Sequence, residues 1–441
     1  MKKLSLLVSL LFIAVSSGAA QPSRVYGVSP ASVQGGATAF PIVVRGSNFS
    51  KNSVVRLNGT NLDTFYVSWN KLKATVPASL VAAAGTLSVR VVRKSYESNA
   101  FNMTVSPTPV GSYTWGPLAS KLQTFISNQT PLPAGSVRGL TFMLARHGKI
   151  LYSQGFGNQT IDSVLLIASA TKMPSGMTMM ALVDEGRLDL DRPISTYLAG
   201  YATVPPDKAN ITVRMLFNHT SGLSEPACLG FPTTGTLQQC TQDILNAPLD
   251  FSPGTQFLYG GASMQVAGGI VEAITGESWN AYFSRKIAMP LGLTRFTYGN
   301  SNNPRIAGGA SSDVGDYTRL LQAYLAGGVY GNSRILSRNS YLEMQTDQKR
   351  DLPVAGSPGG TDFPGYSYGW WHSGAGYLQS QPQPQTPGLE LSDPGAFGCI
   401  PWIDLEHNYT AIILIQSQTG TGRAIWNQIR PLIIEQMQAN N

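Results

Sequence analysis

The segment IASATKMPSGMTMMALVDEGRLDL, residues 167–190, decides the fold of the larger part of this chain. Its apolar residues recur at helical spacing from Met173 onward, and Gly186 is a typical residue to end the helix. Pro174 is tolerated near a helix start, where a missing N–H breaks no intrahelical hydrogen bond. The pattern therefore places Ser169 at or just before the N-terminus of a buried helix.

Ser169 and Lys172 are three positions apart, so a helix brings both side chains to one face. A lysine amine can accept a serine proton only if its pKa falls well below ~10.4, and burial lowers it. The helix N-terminus also favours a deprotonated serine and the oxyanion that forms after attack. We interpret the two residues as a nucleophile and its base; the alternative is two polar residues on a helix.

A second serine–lysine pair at this spacing, Ser68 and Lys71, occurs in the segment SWNK. The surrounding residues alternate as in a β-strand, where positions i and i+3 point to opposite faces. We therefore predict that these two residues face solvent or contact the core and have no catalytic role.

Length, composition and charge restrict the class of protein. A chain of 441 residues has room for two or three domains, and 42% hydrophobic with 12% charged residues is typical of a globular protein. The formal net charge is +7, but Lys and Arg are scattered, which argues against nucleic acid binding. The histidines show no metal-ligand spacing, so we predict neither a metal nor another cofactor.

Residues 1–20 have the pattern of a secretory signal peptide, with cleavage expected after Ala20. Two lysines precede an apolar run from Leu4 to Val15, and small residues follow. This run is shorter than the ~20 residues that span a bilayer. We therefore predict a secreted or periplasmic protein without a membrane span.

Three cysteines occur in the chain, and export permits disulfides. Cys228 and Cys240 lie close together in a loop-like segment, whereas Cys399 is far away in sequence. We predict that Cys228 and Cys240 form a disulfide; the alternative is three free thiols.

Residues 22–106 contain short segments rich in Val, Thr and aromatic residues, separated by Gly, Asn and Pro. This spacing predicts a β-sandwich. The order VYGVSPASVQGGATAFPIVVRGSNF, residues 25–49, resembles the immunoglobulin-like IPT/TIG domain. Fold analogy implies a spacer or adhesion module that contacts a surface or a polysaccharide. Residues 107–117, rich in Pro, Gly and Ser, indicate a linker to a second domain at 118–441.

Four further segments follow the Ser169 helix: HTSGL at 219–223, YGG at 259–261, YGWW at 368–371 and SDPGAFG at 392–398. In this order they resemble the serine β-lactamase and penicillin-binding-protein superfamily, in the branch with class C β-lactamases, D-alanyl carboxypeptidase-like enzymes and family VIII esterases. The resemblance implies a multidomain chain. An N-terminal all-β immunoglobulin-like sandwich is followed by an α+β β-lactamase-like domain, an antiparallel sheet flanked by helices.

The resemblance also implies roles for individual residues. Ser169 matches the nucleophile of the family, Lys172 its partner, and Tyr259 the tyrosine that passes the proton to the leaving group. The backbone N–H groups of Ser169 and Ala396 would form the oxyanion hole.

Two positions depart from the family pattern. Gly261 stands where the family has an asparagine that binds substrate amides. The segment SDPGAFG matches the third motif of the family, and Asp393 stands where that motif begins with a cation. We take Gly261, Asp393 and Gly395 as substrate-binding positions. There Asp393 would repel a substrate carboxylate, which predicts weak β-lactamase and carboxypeptidase activity and a preference for neutral or cationic esters or amides.

Two functions remain open from the sequence. The leading hypothesis is an exported serine hydrolase that cleaves a small-molecule ester or amide through an acyl-serine, esterase-like rather than a true β-lactamase. The alternative is a non-catalytic binding protein that retains the fold, in which Gly261 and Asp393 would mark lost chemistry.

Overall fold

The computed structural model describes residues 22–35, 37, 39–106, 113–349, 352–358, 365–372 and 390–440. The predicted signal peptide and the first part of the predicted linker, 107–112, lie outside the described residues. The chain divides into two compact units. One is built from most of the residues up to Thr104, and the other includes everything from Val105 onward.

The N-terminal domain is built from short strands. They are β1 (Arg24–Ser29), β2 (Ser32–Gln34), β3 (Phe40–Ser47), β4 (Val54–Leu57), β5 (Thr60–Asn61), β6 (Asp63–Ser68), β7 (Lys71–Val76), β8 (Gly85–Arg93), β9 (Tyr96–Glu97) and β10 (Phe101–Ser106). One sheet has the order β1-β3-β7-β6; the other has the order β2-β10-β8-β4-β5, with β9 on β8. In β3, Phe40, Ile42 and Val44 are buried while the residues between them are more exposed, the alternation of a sheet with one face in the core. The predicted all-β sandwich is confirmed.

Ser68 and Lys71 do not lie in one strand, as the alternating pattern had suggested. Ser68 ends β6 and Lys71 begins β7, and these neighbouring strands are connected by Trp69 and Asn70. The Ser68 hydroxyl donates a hydrogen bond to Asn70 Oδ1 at 2.6 Å.

The second domain is organised around a seven-stranded sheet. The described strands of the whole domain are β11 (Gly139–Arg146), β12 (Lys149–Gly157), β13 (Leu165–Leu166), β14 (Phe257–Leu258), β15 (Ser311–Ser312), β16 (Val329–Tyr330), β17 (Ser333–Arg334), β18 (Val354–Gly356), β19 (Tyr366–Ser367), β20 (Trp370–His372), β21 (Glu390–Ser392), β22 (Ile400–Asp404) and β23 (Tyr409–Ile415). The sheet order is β12-β11-β23-β22-β21-β20-β19, and every neighbouring pair is antiparallel. The remaining strands form the two-stranded pairs β13–β15, β14–β18 and β16–β17.

Helices surround this sheet. They are α1 (Gly116–Gln123), α2 (Lys172–Asp184), α3 (Ser195–Leu198), α4 (Val213–Phe217), α5 (Leu237–Asn246), α6 (Ala262–Thr275), α7 (Trp279–Phe283), α8 (Met289–Leu291), α9 (Val314–Leu325), α10 (Arg338–Glu343) and α11 (Thr419–Ala439). Short 3-10 turns occur at Ala78–Val81, Ala168–Thr171, Pro206–Lys208 and Ala227–Leu229, and a π turn at Ser284–Ala288. Within the described ranges, no helix combines the length and the apolar character needed to cross a membrane.

Successive residues of a strand point to opposite sides, and in β11 both sides are buried. In β11, Phe142 packs in one core with Leu122 of α1 and Trp426 of α11. The next residue, Met143, packs in a second core that includes Met177 of α2. The predicted α+β domain, an antiparallel sheet flanked by helices, is therefore confirmed.

The second domain begins earlier than the predicted linker end at 117. Helix α1 begins at Gly116, and the rings of Tyr113 and Trp115 stack with centroids 5.2 Å apart. Both aromatic residues pack against the core that contains α1 and α11. We therefore assign residues 113–117 to the second domain, because Tyr113 and Trp115 are partly buried against its core.

Candidate active site

Ser169 lies in the 3-10 turn that leads directly into α2, as the sequence predicted. In such a first turn the backbone N–H groups have no intrahelical acceptor. The residue before it, Ala168, has φ of 46°, a left-handed conformation that costs a non-glycine residue free energy. The turn therefore holds Ser169 at a helix N-terminus with a strained residue directly before it.

Lys172 is the first residue of α2 and is almost fully buried, with 3% of its surface exposed. Its Nζ donates to Ser169 Oγ at 3.1 Å and to the carbonyl oxygen of Ala307 at 2.8 Å. The same nitrogen lies 4.4 Å from the centroid of the Tyr259 ring. The amine is therefore fixed against the serine hydroxyl.

The environment of Lys172 makes it a stronger candidate for a base. Burial lowers the pKa of Lys172 to about 8, against the attraction of Asp393 and Glu225, which raises it, and with a smaller lowering effect of Arg305. With that pKa, about a tenth of the amine is neutral at pH 7 and able to accept a proton.

Tyr259 follows β14, and Gly261 is the N-cap residue of α6. The Tyr259 ring packs beside the rings of His219 and Trp371, with centroid distances of 4.9 and 5.0 Å. These neighbours fix the ring close to Lys172. Tyr259 and Gly261 both line the same cavity as Ser169.

Asp393 does not lie at the substrate-binding position that the sequence predicted for it. It follows directly after β21, is fully buried, and does not line the cavity. Its Oδ2 accepts a hydrogen bond from the backbone N–H of Met173 at 2.9 Å, so the carboxylate caps the N-terminus of α2. Burial raises the pKa of Asp393 well above its usual value, and the Lys172 charge opposes that shift. The prediction that Asp393 contacts substrate is corrected: its side chain contacts the backbone at the start of α2.

Gly395 is also a packing residue rather than a lining residue of the cavity. A Cβ at this position would lie 2.0 Å from the carbonyl oxygen of Ile167, a separation that only glycine avoids. The loop that contains Gly395 therefore passes close to Ile167, two residues before Ser169. Ala396, which follows Gly395, is exposed and lines the cavity. The oxyanion hole formed by the N–H groups of Ser169 and Ala396 stays a prediction, with both residues at one cavity.

The cavity has a volume of about 320 Å³. Several residues that line it were not predicted from the sequence, and the charged or aromatic ones among them are Glu225, Phe231, Arg305 and Phe397. Glu225 lies two residues beyond the HTSGL segment, and Phe397 directly follows Ala396. No motif marked Phe231 or Arg305, because only the tertiary fold brings their loops to Ser169.

Cys228 and Cys240 form a disulfide, as predicted, and Cys399 is a buried free thiol. The bridge closes the loop that carries Phe231, whose side chain is 65% exposed at the cavity. In the part of the chain that the structure describes, no three His, Cys, Asp or Glu side chains are grouped so that they could hold a metal ion.

Comparison with known proteins agrees with this geometry. The beta-lactamase family model matches residues 125–432, and the IPT/TIG domain model matches residues 23–108. The D-alanyl-D-alanine-carboxypeptidase/endopeptidase AmpH of Escherichia coli strain K12 is 26% identical over 283 residues, which cover 58% of this chain and 71% of AmpH. Protein flp of Staphylococcus aureus strain N315 is 26% identical over 186 residues, 39% of this chain, and the match spans only 37% of that relative's length.

A solved structure from Bacteroides dorei DSM 17855 has the same fold, with a TM-score of 0.61 and 25% sequence identity over 74% of this chain and 100% of that one. The family model covers more than half of the chain and includes Ser169, Lys172 and Tyr259. This chain therefore belongs to the beta-lactamase family of serine hydrolases, which is related to the penicillin-binding proteins, and it carries an IPT/TIG domain ahead of its beta-lactamase domain.

Proposed function

We propose that this protein cleaves a small-molecule ester or amide through an acyl-serine intermediate. The hydrogen bond from the buried Lys172 amine to Ser169 Oγ, at 3.1 Å, is the observation that carries the proposal. Neutral Lys172 takes the proton as Ser169 Oγ attacks the carbonyl carbon. The N–H groups of Ser169 and Ala396 stabilise the oxyanion; Tyr259 donates a proton to the leaving group and regains one from protonated Lys172, which becomes neutral again. Water then attacks the acyl-serine and releases the acid.

We further propose a preference for esters over β-lactams. Repulsion of a substrate by Asp393 no longer supports this preference, because Asp393 is buried away from the cavity. Two other features still support the preference: the third motif has no cation at position 393, and position 261 has no asparagine side chain to bind a substrate amide.

The test is stopped-flow hydrolysis of 4-nitrophenyl butanoate. We expect a burst of nitrophenol equal to the enzyme concentration, followed by slower turnover, and we expect both to disappear in Ser169→Ala. Ser68→Ala is the matched control and should keep the burst. A folded wild-type protein without burst or turnover would favour the alternative, a binding protein that retains the fold.

We propose that the protein is exported after removal of residues 1–20. The Cys228–Cys240 disulfide supports this proposal because disulfides persist in oxidising compartments. The intact mass of the protein recovered from the medium or the periplasm should correspond to a chain that begins at Gln21. A mass that includes Met1 would contradict export by signal cleavage.

We propose that the N-terminal domain binds a cell surface or a polysaccharide. Trp69, at the turn between β6 and β7, is 63% exposed, and such a ring can stack on a sugar. Cosedimentation with insoluble chitin and peptidoglycan should weaken in Trp69→Ala. Equal sedimentation of the two proteins would rule out this surface.

A further inference from the structure

An acidic side chain occupies the space left by the missing side chain at Gly261, where the family has an asparagine. Glu225 lines the cavity together with Ser169, and its Oε1 accepts a hydrogen bond from the backbone N–H of Gly261. A Cβ added to Gly260 would lie 2.9 Å from that oxygen, and one added to Gly261 would lie 3.2 Å from it. The two glycines therefore leave room for the carboxylate beside Tyr259.

The Glu225 carboxylate is held in place but not neutralised by an ion pair. Its hydrogen bond to Gly261 uses one oxygen, and no Lys or Arg among the described residues forms an ion pair with it. The residue is exposed to the cavity rather than buried in the core. Its second oxygen can therefore accept a hydrogen bond from a bound molecule.

Besides Lys172, two side chains of opposite charge line this cavity, Glu225 and Arg305, and the carboxylate has the stronger effect on the Lys172 amine. Glu225 raises the pKa of Lys172 by more than Arg305 lowers it. Raising that pKa opposes the function of Lys172 as a base, so the catalytic pair gains nothing from the acid. Its exposed position in the cavity that Ser169 lines fits a role toward the substrate instead.

We propose that Glu225 is a specificity-determining residue that selects substrates carrying a cationic amine close to the scissile bond. This inference rests on the proposed ester or amide hydrolysis at Ser169. Phe231 and Phe397 add apolar surface at the same cavity, which suits the methylene or methyl groups around an alkylammonium.

The test uses two pairs of esters in which a quaternary ammonium is replaced by its uncharged carbon isostere. The acyl pair is the 4-nitrophenyl esters of 4-(trimethylammonio)butanoic acid and 5,5-dimethylhexanoic acid. The alcohol pair is choline butanoate and 3,3-dimethylbutyl butanoate. The ratio of kcat/KM within each pair cancels changes in the basicity of Lys172 and isolates recognition of the charge.

Glu225→Gln keeps an oxygen acceptor for the Gly261 N–H and removes only the charge. In at least one pair we expect it to lower the cationic-to-neutral ratio by about three- to tenfold, as for one partly exposed charge pair. Glu277→Gln is the matched control, because it removes an acid that pairs with Arg285 and does not line the cavity. Its ratios should equal those of the wild type.

The kinetics distinguish failure of the proposed role of Glu225 from failure of the proposed hydrolysis at Ser169. If hydrolysis requires Ser169 but both ratios are the same in wild type and Glu225→Gln, the role of Glu225 is overturned while the proposed function stands. If wild type hydrolyses none of the four esters, or Ser169→Ala hydrolyses them equally well, the proposed function is overturned, and this inference with it.

Discussion

Ser68 and Lys71 in the N-terminal domain have the same spacing as Ser169 and Lys172 in the beta-lactamase domain, but the two pairs are held by different structures. The first pair is divided between two strands, and Ser68 bonds to Asn70 in the turn between them. The second pair lies on one helical turn, with Lys172 Nζ 3.1 Å from Ser169 Oγ and almost fully buried.

The difference between the two pairs shows what a serine and a lysine at this spacing need in order to interact. A helix start brings positions i and i+3 to one face, and burial lowers the pKa of Lys172 to about 8. Lys71 is only half-buried at the start of a strand. We therefore expect the two lysines to respond very differently to the same substitution.

The largest expected effect is that of Lys172→Met, which keeps the length of the side chain and removes the base. We predict that kcat/KM for 4-nitrophenyl butanoate falls by roughly 10²- to 10⁴-fold, with no comparable loss in Lys71→Met. Steady-state kinetics, with circular dichroism to confirm folding, checks both variants. Similar losses in the two variants would remove the distinction between the pairs.

The next effect is the pH dependence of the reaction. Ser169, Tyr259, Asp393, Glu225 and Arg305 surround the Lys172 amine, and its pKa is about 8. Because only neutral Lys172 accepts a proton, kcat/KM should rise about tenfold per pH unit below this pKa and level off above it. A pH profile from 5 to 9.5 with a stable ester measures this. A rate that is flat between pH 5 and 8 would contradict a lysine base.

Asp393→Asn should have a smaller effect on the same profile. The amide oxygen can still accept the Met173 N–H, so the cap of α2 is preserved while the negative charge is lost. Because that charge raises the pKa of Lys172, the variant should lower it, shift the rising limb to lower pH and increase kcat/KM at pH 6 about two- to fivefold. An unchanged limb would show that Asp393 is already neutral in the wild type.

The smallest expected effect concerns the N-terminal domain. A chain shortened to begin at Tyr113 keeps the aromatic pair that packs against α1 and α11, and its sheet has its own cores. We predict that it folds and retains kcat/KM within about twofold of the full chain. Insolubility of the shortened chain, or a large loss of activity, would show that the two domains depend on each other.

Local patterns in the sequence were sufficient for much of this structure. The helix after Ser169 follows from the spacing of its apolar residues, and the short strands of the N-terminal domain follow from segments rich in Val, Thr and aromatic residues. The positions of Lys172 and Tyr259 follow from their motifs. The disulfide was predicted from the short separation of its cysteines and their loop-like segment.

The positions of Asp393, Glu225 and Arg305 could not be predicted in the same way. The side chain of Asp393 turns to the start of α2, and nothing local to position 393 indicates that it lies closer to Met173 than to the cavity. Glu225 and Arg305 reach the cavity through packing between distant segments. The one signal available was the pair Gly260–Gly261, where a missing side chain leaves space for another group.

The central claim is that Ser169 is the nucleophile of the beta-lactamase domain. The most direct measurement is to treat the folded protein with a fluorophosphonate and to locate the adduct by peptide mass spectrometry. We expect one adduct per chain, on Ser169, with Ser68 unmodified and with labelling lost in Ser169→Ala and strongly slowed in Lys172→Met. An adduct on another residue, or an unlabelled Ser169 in the folded wild-type protein, would contradict it.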